Sequence, residues 1–123
     1  DGDVILHAII DAILGAIRKK DIGSLFPDNK DIYKNIRSPN MLKPVLEILD
    51  KSNFYINNLD INLICEQPKV SKYREKIISS LSNLLKLNKD LINLKGKTVE
   101  KLGLIGKEKA IACEVLVSIC KYD

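Results

Sequence analysis

The chain has 123 residues, 46% apolar and 29% charged, which is the composition of one folded domain and excludes a disordered or collagen-like chain. Its net charge of +4 is carried mainly by dispersed Lys, with only three Arg, so it lacks both the dense basic stripe of a duplex-DNA protein and an Arg cluster for fork-like phosphate recognition. No apolar run approaches the roughly 20 residues of a membrane span, no basic n-region of a secretory signal opens the sequence, and Cys65, Cys113 and Cys120 show no CxxC spacing, which fits buried thiols in a reducing compartment rather than a disulfide framework or a Cys-only zinc site.

No internal repeat or long linker divides residues 1–123, which read as a single domain. Val4 to Ile17 is apolar almost all round, through Val4, Ile5, Leu6, Ile9, Ile10, Ile13, Leu14 and Ile17, and predicts a helix buried on most faces. His7 and Asp11 are its interior polar groups, one helical turn apart. Asp21-Ile22-Gly23 and Phe26-Pro27-Asp28 punctuate a loop. Ser38-Pro39 has the form of an N-cap followed by Pro in the first turn, and predicts a helix to about Lys51 with Leu42, Val45, Leu46 and Leu49 inward and a kink or late start at Pro44.

Tyr55 to Cys65 alternates, with Tyr55, Leu59, Ile61, Leu63 and Cys65 assigned to one face and Asn58, Asp60 and Asn62 to the other, as in a strand with one wetter face. Gln67-Pro68-Lys69 stops it. Ser71 to Leu87 predicts a helix, with Ile77, Ile78, Leu81, Leu84 and Leu85 at helical spacing. Leu91 to Thr98 reads as a strand, Glu100 to Gly106 as a loop, and Ala110 to Cys120 as the last strand. This order predicts α/β or α+β architecture in two layers, with a thin sheet whose edges want a further strand or a partner chain.

Several residues carry candidate chemistry. His7 is the only imidazole in the sequence, and on a buried helix it must be hydrogen-bonded or bound to metal. Asp3 and Asp11 flank it at helical spacing, which suits a carboxylate that orients a zinc-binding His. The same His-x-x-x-Asp spacing occurs in acyltransferases, which need much longer chains. Glu100, at the start of a Gly-bearing loop, is either a solvated loop residue or a Mg2+ ligand of the kind that shares its ion with substrate phosphates. Lys97, Thr98 and Lys69 lie at predicted strand ends, where ligands of such sheets bind. No GxGxxG or Walker A sequence is present.

Five blocks in this order resemble the 2-C-methyl-D-erythritol 2,4-cyclodiphosphate synthase family over essentially the whole chain. They are Asp1-Gly2-Asp3-Val4-Ile5-Leu6-His7-Ala8 with Asp11-Ala12-Ile13-Leu14-Gly15, then Asp21-Ile22-Gly23-Ser24-Leu25-Phe26-Pro27-Asp28, Cys65-Glu66-Gln67-Pro68-Lys69, Thr98-Val99-Glu100-Lys101-Leu102-Gly103, and Ile111-Ala112-Cys113-Glu114. The resemblance implies an α+β fold, a two-layer sandwich with a mixed sheet packed against helices, chorismate-mutase-like and assembled as a homotrimer with sites between subunits. It also implies a site. His7 takes the place of a Zn2+ ligand, with Asp11 as the group that orients it. Asp21, Ile22 and Gly23 fall on the loop that holds the methylerythritol part, and Phe26 and Asp28 on the neighbouring substrate segment. Cys65, Pro68, Lys69, Val70 and Ser71 fall on the segment that cradles cytosine through backbone groups. Lys97, Thr98, Val99 and Glu100 fall on the diphosphate segment, with Thr98 stabilising the transition state and Glu100 holding Mg2+ or Mn2+. Leu104 and Lys107 match further contact positions.

The implied reaction converts 4-diphosphocytidyl-2-C-methyl-D-erythritol 2-phosphate to the 2,4-cyclodiphosphate and CMP, in non-mevalonate isoprenoid biosynthesis. The family's Asp-x-His motif, which supplies its other zinc ligands, and a His-Ser pair that touches substrate have no counterpart in this sequence, as if the chain starts inside the family pattern without its N-terminal strand. An inactive or truncated trimer that binds cytidine nucleotides is therefore the competing expectation. Lys97 is similar to plant-type members, and the abundance of Ile, Lys and Asn points to an AT-rich genome. Together they favour an apicoplast or plastid stroma over a bacterial cytoplasm.

Overall fold

Ile5, Leu6, Ile9, Ile10, Ile13 and Leu14 are all buried. Their three- and four-residue spacing makes α1 (Gly2–Ala16) a helix that lies along a sheet. The computed structural model describes residues 2–19, 38–65, 70–97, 103 and 111–123. Within them α1 is followed by α2 (Ser38–Lys51), β1 (Phe54–Ile64), α3 (Val70–Leu85), a 3-10 turn (Lys89–Leu91), β2 (Ile92–Lys97) and β3 (Ala112–Lys121). These elements match the expected order, with ends displaced by one or two residues.

The buried stripe of α1 is narrower than its composition predicts. His7, Asp11, Gly15 and Ala16 are exposed, so the helix is amphipathic rather than buried on most faces. The apolar residues outnumber what one face needs, but the small and polar ones gather on the other. In α2, Leu42, Val45 and Leu49 are buried and Leu46 is half-buried. The helix begins at Ser38 and continues through Pro44 as one element, so the late start expected there does not occur. In α3 the inward positions are Val70, Ile78, Leu81 and Leu85.

All three helices are followed by a residue with positive φ, and none of the three is Gly: Arg18 at 60°, Asn53 at 73° and Lys86 at 53°. The chain turns there to satisfy carbonyls that the helix leaves open. After α1, the Lys19 N–H donates to the Leu14 carbonyl at 2.8 Å. After α3, the Leu87 N–H donates to the Ser82 carbonyl at 3.1 Å, and Ser82 Oγ donates to the Leu87 carbonyl at 2.6 Å.

The three strands form one mixed sheet in the order β2-β1-β3. β1 runs parallel to β2 and antiparallel to β3. A bulge at Asn57 interrupts the β1–β3 register between Ile56 and Asn58. The bulge reverses the side-chain parity of β1. Before it, Phe54 and Ile56 pack on the core; after it, Leu59, Ile61 and Leu63 do. Tyr55 therefore does not share a face with Leu59, as strict alternation predicts. It lies opposite Cys120 and 5.0 Å, centroid to centroid, from the ring of Tyr122.

All three helices cover one face of this α+β sheet: α1 lies over β3, α3 against β2, and α2 beside α1 and β1. Ile9, Ile10, Ile13, Leu14, Val45 and Ile61 are completely buried where the layers meet. Each such side chain contributes about 1.5–3 kcal/mol. The opposite face carries Asn58, Asp60 and Asn62 from β1, Asn93, Lys95 and Lys97 from β2, and Glu114, Leu116 and Ser118 from β3. Leu116 is 75% exposed there.

Candidate functional site

Because β1 and β2 are parallel, their C-terminal ends emerge at the same end of the sheet. Ile64 pairs with Lys97, and the Cys65 N–H extends the ladder by donating to the Lys97 carbonyl at 3.1 Å. Two segments 32 residues apart in sequence, one predicted to hold a nucleobase and the other a diphosphate, are thus joined at their first described residues. α3 begins beside them. Its Val70 is buried against Gly96, and Ser71 follows exposed.

A groove of about 330 Å³ opens next to this junction, lined by Ile5 and Leu6 of α1, by Cys65, and by Val70, Tyr73 and Ile77 of α3. The N-terminal turns of α1 therefore come to the same end of the sheet as Cys65 and Val70. His7 follows Leu6 on that helix but is exposed, which corrects the expectation of a buried imidazole. Asp11 lies one turn further along the same exposed stripe. Of the expected site residues, Asp21, Ile22, Gly23, Phe26, Asp28, Pro68, Lys69, Thr98, Val99, Glu100, Leu104 and Lys107 lie outside the described residues.

Among the described residues no group of three or more His, Cys, Asp and Glu side chains comes together to hold a metal ion. A tetrahedral zinc site needs four donors. His7 with Asp11 supplies at most two, so the donors described here do not by themselves make up that site.

Lys97 ends a row of polar side chains on the open face of the sheet. Lys95 Nζ lies 3.0 Å from Asp60 Oδ2, and Asn93 Nδ2 donates to Asp60 Oδ1 at 3.2 Å. The hydrogen bond from Lys95 holds the Asp60 carboxyl below the ordinary carboxylate range despite partial desolvation, and Asn93 and Lys97 act in the same direction. From β2 the row continues to α3, where Arg74 donates from Nε to the Leu94 carbonyl at 3.1 Å and from Nη2 to Asn93 Oδ1 at 3.0 Å. The sequence reading missed this row. Asp60, Asn93 and Lys95 each occupy an outward strand position, but only the β1–β2 register shows that they adjoin.

The YgbB family matches residues 1–120. The chain is 50% identical to the bifunctional enzyme IspD/IspF of Pelagibacter ubique, covering 100% of this chain and 33% of that protein. It is 43% identical to the 2-C-methyl-D-erythritol 2,4-cyclodiphosphate synthase of Caldicellulosiruptor bescii, covering 98% of this chain and 77% of that protein. With the apicoplast synthase of Plasmodium falciparum it shares 47% identity, over 92% of this chain and 47% of that protein. The chain thus spans a third of the bifunctional relative and under half of the apicoplast one. The fold superposes on a structure described as the P. falciparum IspF–CDP complex with a TM-score of 0.88 at 40% identity, covering 98% of this chain and 72% of that one. Similar proteins come from bacteria, an apicoplast and a chloroplast. With its parallel strand ends joined at Cys65 and Lys97 and the matching blocks in the same order, the chain belongs to the 2-C-methyl-D-erythritol 2,4-cyclodiphosphate synthase family of CMP-releasing lyases in non-mevalonate isoprenoid biosynthesis.

Proposed function

We propose that this chain carries the family's activity, converting 4-diphosphocytidyl-2-C-methyl-D-erythritol 2-phosphate to 2-C-methyl-D-erythritol 2,4-cyclodiphosphate and CMP. The observation that carries the reading is the family match over residues 1–120; the Cys65–Lys97 hydrogen bond supports it by joining the described ends of the two segments assigned to nucleobase and diphosphate. An oxygen of the 2-phosphate attacks the β-phosphorus of the same molecule. The bond from that phosphorus to the bridging oxygen breaks, and CMP leaves with the oxygen. A phosphate monoester has a second pKa of about 6, so the attacking group is already largely a dianion near neutral pH and needs no general base. The work left to the protein is to fold the substrate back on itself and to neutralise charge. Cys65 to Ser71 hold the cytosine by backbone groups, Asp21 to Gly23 with Phe26 and Asp28 hold the erythritol end, and Lys97 and Thr98 face the diphosphate, with Leu104 and Lys107 as further contacts.

His7 would furnish one zinc donor, oriented by Asp11, and Glu100 would hold Mg2+ or Mn2+. When bound, such ions offset the negative charge that grows on the diphosphate. The face of the sheet that no described helix covers, with Leu116 exposed on it, supports a chorismate-mutase-like homotrimer that completes its sites between subunits. Lys97 supports a plastid-type setting, with a bacterial cytoplasm as the alternative.

The test is CMP release from the diphosphocytidyl substrate with Zn2+ and Mg2+ present. Release that falls at least tenfold in Glu100→Gln, with the trimer intact by light scattering, supports the reading and the Glu100 assignment. Unchanged turnover in that variant removes the assignment. The competing reading is a cytidine-nucleotide-binding trimer without turnover. Tight CDP binding with no CMP release would support that reading instead.

A further inference from the structure

We propose that Arg74 is a positioning residue that sets the spacing between the nucleobase and diphosphate segments; the proposal rests on the synthase reading above. β2 is an edge strand of the described sheet. The Lys97 carbonyl points at β1, where it accepts from Cys65. Alternation along the strand then turns the Leu94 carbonyl to the open edge. Arg74 Nε–H donates to that carbonyl at 3.1 Å, and its guanidinium reaches round the edge to Asn93 Oδ1 at 3.0 Å on the other face. One acceptor at the edge of the strand and one on its open face are thus held by a single planar fork, which a Lys ammonium cannot reproduce.

This clasp sits one helical turn after Val70, which packs directly on Gly96. α3 is consequently fastened to β2 at two points: Val70 on Gly96, and Arg74 on Leu94 and Asn93. Val70 and Ser71 belong to the segment that holds the base, and Lys97 opens the segment that holds the diphosphate. With both contacts made, Val70 and Lys97, described residues of the two segments, are carried on one body, which suits a ligand that reaches both, such as a cytidine diphosphate. Without the clasp, the first turns of α3 keep only the Val70 contact and the span loosens. Arg74 also lies 3.0 Å from Glu75 Oε1, an exposed pair on the same helix that has no bearing on the span.

The test compares CDP, which reaches both segments, with CMP, which reaches one phosphate less. Calorimetric titration of the intact chain at fixed Mg2+ is expected to show CDP binding weakened about tenfold in Arg74→Ala, with CMP binding changed by less than about twofold. Arg74→Lys is expected to behave like Arg74→Ala. Should Arg74→Ala fail to fold, Asn93→Ala carries the same test, because it removes one acceptor and leaves the Leu94 bond; a smaller loss, again confined to CDP, is expected. A purely structural role would lower the melting temperature and weaken both nucleotides alike, and that result, or unchanged CDP binding, overturns the proposal. Failure of the unaltered chain to bind CDP would overturn the synthase reading and this proposal with it.

Discussion

A Cβ built on Gly96 would lie 2.6 Å from the Cβ of Val70 and 2.7 Å from its Cγ2. Real side chains do not approach that closely, so α3 sits on β2 at a distance that only Gly permits. Gly96→Ala must push the start of α3 off the strand or bend the strand, at a cost of about 1–3 kcal/mol. Val70→Ala removes the Cγ2 at 2.7 Å but keeps the Cβ at 2.6 Å, so it relieves the clash only in part. Urea unfolding of both single variants and the double variant should show favourable coupling between the two positions, with the double variant more stable than the sum of the single losses predicts. Additive losses would mean that the backbone absorbs the contact elsewhere.

Ile9 and His7 are two residues apart on α1 but face opposite ways, Ile9 completely buried and His7 exposed. Ile9→Ala is expected to cost about 2–5 kcal/mol, through lost burial and the cavity left behind. His7→Ala should change stability by no more than about 0.5 kcal/mol. If His7 is a zinc donor, the same variant should retain less zinc after dialysis, measured by elemental analysis. A large stability loss in His7→Ala without added metal would contradict its exposed position.

Asp60 gives the fold a defined acid response. Its carboxyl is held below the ordinary value of 3.8, first by the hydrogen bond from Lys95. A folded-state pKa below the unfolded one stabilises the fold above the unfolded value, and that stabilisation disappears as the pH falls through the lowered value. Denaturation midpoints at pH 7, 4 and 2 should therefore fall more steeply for the unaltered chain than for Asp60→Asn. The difference should shrink in high salt, because the pair is partly exposed. Parallel pH profiles would show that the Asp60–Lys95 pair contributes nothing to folding.

Lys86 follows α3 with φ of 53°, a conformation that costs a residue bearing a Cβ about 1–2 kcal/mol. Lys86→Gly removes that strain but gives the unfolded chain more freedom, which offsets part of the gain. A net stabilisation of about 0.5–1 kcal/mol is expected in thermal or urea unfolding. A loss would mean that the Lys86 side chain contributes contacts worth more than the strain.

Local patterns determined much of this protein. The spacing of Ile5, Ile9 and Ile13 required a helix with a buried stripe, and the alternation of Leu59, Ile61 and Leu63 required a half-covered strand, because both periods are properties of a single segment. The ordered blocks from Asp1 to Glu114 carried the resemblance to the family. Other features depended on segments far apart in sequence. Bulge placement at Asn57 arises from pairing with β3, so the parity of Tyr55 could not be read from β1 alone. The exposure of His7 depends on which side of α1 meets the sheet. The left-handed residues Arg18, Asn53 and Lys86 carry no glycine signal; all three are exposed, and the turns are held by hydrogen bonds that close the helix ends and by the Tyr122 N–H on the Asn53 carbonyl. The Cys65–Lys97 junction, the Val70–Gly96 contact and the Arg74 clasp all follow from β1 and β2 being parallel neighbours. Strand order and direction are long-range choices, settled when the helices and the sheet bury their apolar faces against one another.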